Sequence, residues 1–251
     1  MSTQSLILTA FLVIIPLWIS YKEKLTLEKD IIVSMLRAVI QLLIVGYLLE
    51  FIFGLESPIY TILLVLVMIA NAAVNTKNKG IKMPYKGIIA FIALLIGTAM
   101  TLIILVISGA IGFTANEVIP VAGMIISNSM IAIGLSYRHL SVSFQEKRME
   151  VEVKLSLGAE VKEAAHHIIR ESIKVAIMPS IDSAKTLGIV ALPGMMTGLI
   201  LGGASPIVAV KFQIMVTFMI LASASIATIL AVYWSYKFFF NERKQLKKIN
   251  E

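Results

Sequence analysis

The 251-residue sequence contains no cysteine, so it has no disulfide framework and no thiolate metal site. Charge is scarce: 15% of residues are Asp, Glu, Lys or Arg, against about 25% in soluble domains. Histidine is limited to His139, His166 and His167, none at metal-ligand spacing from a second histidine. No stretch fits G-x-x-x-x-G-K-[ST], so the chain has no phosphate loop with which to hydrolyse nucleotide. A local Ser/His/Asp signature is also missing, and no enzymatic activity is expected. No Lys or Arg precedes Lys22. A cleaved signal peptide carries positive charge ahead of its apolar stretch, so the first apolar segment is expected to be retained.

Apolar surface fills the space that charge leaves. Hydrophobic residues make up 58% of the chain and mean hydropathy is +0.91. A water-soluble chain of this size cannot bury that much apolar area. A soluble enzyme, a nucleic-acid-binding domain and a disordered chain are thereby excluded. The net charge of +7 would point to nucleic acid in a soluble protein; in a membrane protein it serves orientation.

A bilayer core takes about 20 apolar helical residues. By that rule the chain reads as an all-α polytopic membrane protein with about seven transmembrane helices. The spans are approximately Leu6–Ile19, Ile31–Phe53, Ile59–Val74, Ile88–Ser108, Val118–Tyr137, Ala184–Leu201 and Ile207–Tyr236. Of the 22 Lys and Arg, 20 fall in connections of one parity, while the other parity (53–58, 109–117 and 202–206) has none. The exceptions are Arg37, inside span two, and Lys211, near one end of span seven. The positive-inside rule then places the N-terminus outside and the C-terminus in the cytoplasm. Trp18, Tyr21, Tyr137, Tyr233, Trp234 and Tyr236 gather at the expected cytoplasmic ends, as interfacial aromatics should.

One connection, Arg138–Lys185, is long where all others are short. Val161, Ala164, Ala165, Ile168 and Ile169 recur at helical spacing within it. This long helical cytoplasmic loop either lies on the membrane surface or docks onto a cytoplasmic partner. Six acidic residues between Glu146 and Glu171 argue against a pure anionic-lipid binder.

Polar residues inside the spans are costly and usually functional. Span two carries Ser34, Arg37 and Gln41 on one face, span three carries Asn71 and Asn75, and span five carries Asn128 between Ser127 and Ser129. These residues either line a translocation path or hydrogen-bond between helices, which is worth about 0.6 kcal/mol each. Arg37 has the further option of snorkelling to the interface. Asp182 and Lys185 are placed for a local ion pair. Span six is interrupted near its middle by Pro193 and Gly194. Proline removes a backbone donor, and broken helices at the midplane mark substrate sites in many transporters. Gly194, Gly198 and Gly202 form a small-residue stripe suited to close helix packing. Met195 and Met196 beside the break suit either soft-metal ligation or the filling of irregular gaps. No residue set is assigned to a metal. Glu50, Glu56 and Glu117 on the outer side are either solvated loop charges or a mildly acidic mouth that helps release a cation.

Two stretches together resemble one family. They are Lys154-Leu-Ser-Leu-Gly-Ala-Glu-Val-Lys-Glu-Ala-Ala165 and the run from Ile181 to Pro206, with Leu-Pro-Gly-Met-Met-Thr-Gly at its centre. Over essentially its whole length the chain is similar to the iron-export ABC transporter permeases (FetB-type), a family that also includes plant aluminium-tolerance permeases. The resemblance implies one permease domain over residues 1–251, with a cytoplasmic coupling segment at about 138–185, in the cell (inner) membrane. It implies a homodimer in the lipid bilayer driven by two copies of a separate ABC ATPase subunit. ATP and Mg would be held by that subunit, with no cofactor in this chain and no nucleic-acid partner. It also implies that Leu155, Leu157, Gly158, Ala159 and Glu163 belong to the ATPase-coupling segment, which lacks the spacing of importer permeases. Export of iron or a related metal species is the implied activity. Another solute such as a nucleotide sugar, or ATPase-independent secondary transport, are the alternatives. A hard-cation site would normally use clustered carboxylates, and the spans contain no such cluster.

Overall fold

The computed structural model describes residues 8–54, 57–77, 79–80 and 83–247. Helices dominate, and the described residues contain only two isolated β-bridges and no strand. The chain divides into two units, Met1–Glu56 and Ser57–Glu251. Glu56, one of the outer carboxylates, lies outside the described residues.

In the first unit a 3₁₀ turn (Phe11–Val13) leads into α1 (Ile14–Lys22), and α2 spans Glu28–Phe53. The intervening turn puts Lys24 and Thr26 at positive φ, 52° and 57°. Ser20 closes it: its buried hydroxyl donates to Glu28 Oε1 at 2.7 Å and accepts from the Leu27 N–H at 3.1 Å. Among the described residues of this unit only Ser20 and Ile52 are buried; a few others, such as Leu17, Ile31 and Leu49, are half-buried and most are exposed.

The second unit contains α3 (Pro58–Lys77), α4 (Lys86–Ile107), α5 (Ala115–Glu146), α6 (Arg148–Ser156), α7 (Val161–Ala164), α8 (His166–Thr186), α9 (Gly194–Leu201) and α10 (Pro206–Ser235). Helix α5 is central and packs on α3, α4, α8 and α10, while α10 also packs on α4, α8 and α9. Small residues set these distances. Ala90, Ala93, Ala122, Ala224, Ala227 and Ala231 are fully buried, and small side chains let apolar helices approach closely in a membrane. At Gly97 an added Cβ would meet Ala227 Cβ and the Ser223 carbonyl at 3.2 Å, so any side chain there would press the α4–α10 contact apart by a few tenths of an ångström. Ser129 donates to Ser223 at 3.2 Å, joining α5 to α10.

A second lock lies at the basic end of the bundle. Tyr137 is fully buried, Lys86 Nζ sits 5.0 Å from its ring centroid, and Ser235 Oγ donates to its hydroxyl at 3.3 Å. Lys86 also donates to the Lys79 carbonyl. Gly80, at φ +68°, lets the α3–α4 connection touch α5, where a Cβ would lie 2.6 Å from the Tyr137 carbonyl oxygen.

Five helical stretches among the described residues are long and apolar enough to cross a membrane: Glu28–Glu50, Pro58–Lys77, Lys86–Ile107, Ala115–Glu146 and Pro206–Phe239, with Leu8–Lys22 shorter. The expected sixth span, Ala184–Leu201, is not one helix. Helix α8 ends at Thr186, residues 187–193 form a loop closed by the Leu187–Ala191 bridge, and α9 begins at Gly194. The interruption is therefore wider than Pro193-Gly194. The stretch 166–185, expected to be part of a helical cytoplasmic connection, is helical and in addition packs on α5 and α10. Its charges occupy the outer faces of α8, while Ile168, Ile169, Ser172 and Ala176 are buried. At about 1.5 Å per residue, the 21 residues of α8 reach about 31 Å.

Candidate functional site

The loop after α8 opens a cavity of about 350 Å³ between α5, α8 and α10. Its polar lining comes from Asn128, Ser180, Ser183, Gln213 and Thr217, with Pro193 at its edge, and no ionisable side chain lines it. Asn128 donates to the Met124 carbonyl at 2.8 Å, which directs its amide nitrogen into its own helix. Thr217 likewise donates to the Gln213 carbonyl at 2.8 Å. Gln213 Oε1 is buried and has no partner among the described residues. A buried acceptor left unmade costs about 1–3 kcal/mol, so this atom is set to receive a donor from water or solute. Pro179 also lines the cavity from within α8, and it supplies no N–H to the carbonyl four residues earlier.

A second cavity, about 260 Å³, lies between α3 and α5 and is lined by Asn75, Lys79, Gly134 and Arg138. Ile131 and Leu135 face both cavities. Asn75 donates to Asn71 Oδ1 at 3.0 Å and to its carbonyl at 3.2 Å. The two amides thus pair along one exposed helix face rather than between helices.

The other expected path residues are spread out. Arg37 and Gln41 are exposed on α2 of the first unit. Met195 packs against the apolar cluster that contains Leu105, Ile125 and Val216, which is the gap-filling use of methionine, and Met196 is half-buried. Gly194 and Gly198 have nothing within 4 Å of a built Cβ, and Gly202 would meet only carbonyls of α9 itself. Asp182 and Lys185 form the expected local ion pair at 2.8 Å. His139 Nδ1 lies 3.0 Å from Ser172 Oγ and 3.2 Å from Ser143 Oγ, tying α5 to α8. Among the described residues no group of three or more His, Cys, Asp or Glu is placed to hold a metal ion.

At the far end of the bundle, α6 stops where Gly158 adopts φ +91°. The Gly158 N–H bonds the Leu155 carbonyl and the Ala159 N–H bonds the Lys154 carbonyl, both at 3.0 Å. Glycine is favoured there because a left-handed residue ends the helix without a Cβ clash. Leu155 packs against the core, whereas Leu157, Gly158 and Glu163 are exposed and Ala159 is half-buried. Lys154 donates to Glu150 at 2.5 Å and holds its carboxyl below the usual range. Lys162 Nζ lies 6.0 Å from the Tyr233 ring, tying α7 to α10.

Two features escaped the sequence reading. Gln213 is the only amide in the last span and could have been found by the same rule that singled out Asn128. Ser180 and Ser183 could not, because they fall in the long cytoplasmic connection and not in an expected span.

A family profile described as "Uncharacterised protein family (UPF0014)" matches residues 3–240. The chain belongs to this family. Within it, the chain is 47% identical over 245 residues to the "Probable iron export permease protein FetB" of Escherichia coli (strain K12), covering 98% of this chain and 95% of that protein. It is 37% identical to the "UPF0014 membrane protein STAR2" of Oryza sativa subsp. japonica, over 91% of this chain and 80% of the relative. It is 33% identical to the "Protein ALUMINUM SENSITIVE 3" of Arabidopsis thaliana, over 94% and 86%. No solved structure matches the chain. UPF0014 membership and the long apolar helices together identify a multi-pass membrane protein, and the likeness to a relative named as a permease supports a transporter rather than an enzyme.

Proposed function

We propose that this UPF0014 chain is the membrane-spanning subunit of an ATP-driven exporter in the inner membrane. Two copies would work with two copies of a separate ATPase that holds ATP and Mg. The observation that carries this reading is the exposed Gly158 turn, joined through α7 to the α8 helix that lines the cavity between α5, α8 and α10. A push on the turn is passed along a helix of about 31 Å to the loop 187–193, where the chain is least constrained by helical bonding. The basic residues of the connections support a cytoplasmic position for the turn.

Iron or a related metal species is the cargo favoured by the likeness to the E. coli protein. The cavity qualifies how such cargo would travel. Its side chains are neutral, and a hard cation stripped of its own ligands would find amide and hydroxyl oxygens only. The same neutral lining supports a second reading, export of a hydroxyl-bearing organic solute recognised by hydrogen bonds.

Gly158→Val tests the coupling route. Valine is disfavoured at φ +91°, so the turn must deform while the buried bundle is untouched. Membrane insertion is expected to be unchanged, with stimulation of the ATPase and transport both reduced about tenfold or more, a barrier change of about 1.4 kcal/mol. Full-rate transport by the variant would refute the assignment.

A further inference from the structure

The segment after α10 is built rather than trailing. Residues 236–239 form a 3₁₀ turn, and Phe239 stacks on Phe144 of α5 with centroids 4.3 Å apart. Phe240 meets the same ring edge-on at 5.7 Å and bridges to the buried Leu246. Arg148, at the start of α6, donates to the carbonyls of Lys247 and Leu246 at 3.1 and 3.3 Å while pairing with Glu152 at 2.7 Å. The tail is thereby fastened to both α5 and α6.

Between Phe240 and Leu246 lies a tight turn. Asn241 bonds Gln245 three ways: N–H to carbonyl at 2.8 Å, Oδ1 from the Gln245 N–H at 2.8 Å, and Nδ2 to Oε1 at 3.0 Å. The Lys244 N–H also bonds the Asn241 carbonyl at 2.9 Å. These bonds hold Lys244 at φ +60°, a conformation that residues with a Cβ rarely adopt. The turn thus presents Arg243 and Lys244, both exposed and neither in an ion pair with a described residue.

The turn also faces the Gly158 segment. Arg243, Lys244 and Gln245 line one side of a cleft of about 780 Å³ whose other side is Leu155, Gly158 and Glu160. Beside the cleft, α6 carries an uncovered apolar stripe of Met149, Val153 and, at its C-cap, Leu157, which are 79%, 51% and 83% exposed. Spacing of four puts these three on one helix face.

We propose that the 241–245 turn is a second docking element for the ATPase subunit. Arg243 and Lys244 would take carboxylates on the rim of an ATPase groove whose apolar floor receives Met149, Val153 and Leu157. This rests on the ATP-driven reading above and extends it, because it assigns partner recognition to the tail and coupling to Gly158. The occupant follows from two features acting side by side: a fixed basic pair, which calls for an acidic surface, and an apolar stripe continuous with the coupling turn.

The test uses the full-length chain in detergent micelles and in vesicles of neutral and anionic lipid, with its purified ATPase subunit. Arg243→Glu/Lys244→Glu is expected to weaken ATPase binding about tenfold or more, with the wild-type affinity falling at high salt and the variant's already low. Stimulation at saturating ATPase is expected to stay near wild type, whereas Gly158→Val loses stimulation at saturation. Arg243→Gln/Lys244→Gln, which keeps the turn's hydrogen bonds and removes only charge, is expected to show an intermediate affinity. Unchanged binding by both double variants, with wild type bound and stimulated, overturns the proposal and leaves the ATP-driven reading standing. Variants that bind the ATPase normally but lose a response to anionic vesicles overturn it in favour of a lipid contact. A wild-type chain that binds no ATPase refutes the ATP-driven reading itself.

Discussion

Helices α2 and α5 are both apolar enough to cross a bilayer, yet their surroundings within their own units are opposite. None of the most apolar stretch of α2 is buried, against 56% of the corresponding stretch of α5. Their compositions explain the difference. Helix α2 runs through Val39, Ile40, Leu42, Leu43, Ile44 and Val45, bulky side chains that suit lipid or another protein surface. Helix α5 alternates its large residues with Ala122, Ser129, Ala132, Gly134 and Ser136, which let neighbours come close. Hydropathy finds a membrane helix, and small residues identify which one the bundle is built around.

Substitutions sharpen that contrast. The largest loss is expected from Tyr137→Ala in α5, which empties a fully buried site and removes the partner of Lys86 and Ser235. It should cost about 3–5 kcal/mol of stability, read as denaturant unfolding in detergent. Gly97→Leu comes next: the side chain would be forced into Ala227 and Ser223, overpacking the α4–α10 contact by about 1–3 kcal/mol in the same assay. Leu43→Ala on α2, 60% exposed, should change stability by about 0.5 kcal/mol or less. A large loss there would mean that the exposed face of α2 is covered in the working assembly, and crosslinking of two copies through that face would identify the cover.

The same distinction decides what could be read from the sequence. Uniform apolar runs were legible, and five of the expected spans correspond to the five long apolar helices, with Leu8–Lys22 as a shorter sixth. Helix α8 was legible only in part. Ile168 and Ile169 recur at helical spacing, but Ser172 and Ala176, set among Arg170, Glu171 and Lys174, gave no sign that the helix packs into the bundle. The break was found at Pro193, where proline announces it, but its extent depends on the Leu187–Ala191 closure, a backbone contact with no composition signal. Asn71 and Asn75 were recognised as unusual, but their spacing alone did not tell that they bond each other. Gly158 stood out through resemblance, and its positive φ supplies the physical reason for glycine there.

The measurement closest to the central claim is ATP-dependent transport in inverted membrane vesicles containing this chain and its ATPase subunit, with ferrous iron as the probe. The account predicts iron accumulation inside the vesicles that requires ATP, requires the ATPase, and falls about tenfold or more with Gly158→Val, in line with a loss of about 1.4 kcal/mol in coupling. Iron accumulation that proceeds at the same rate without ATP or without the ATPase subunit would contradict it.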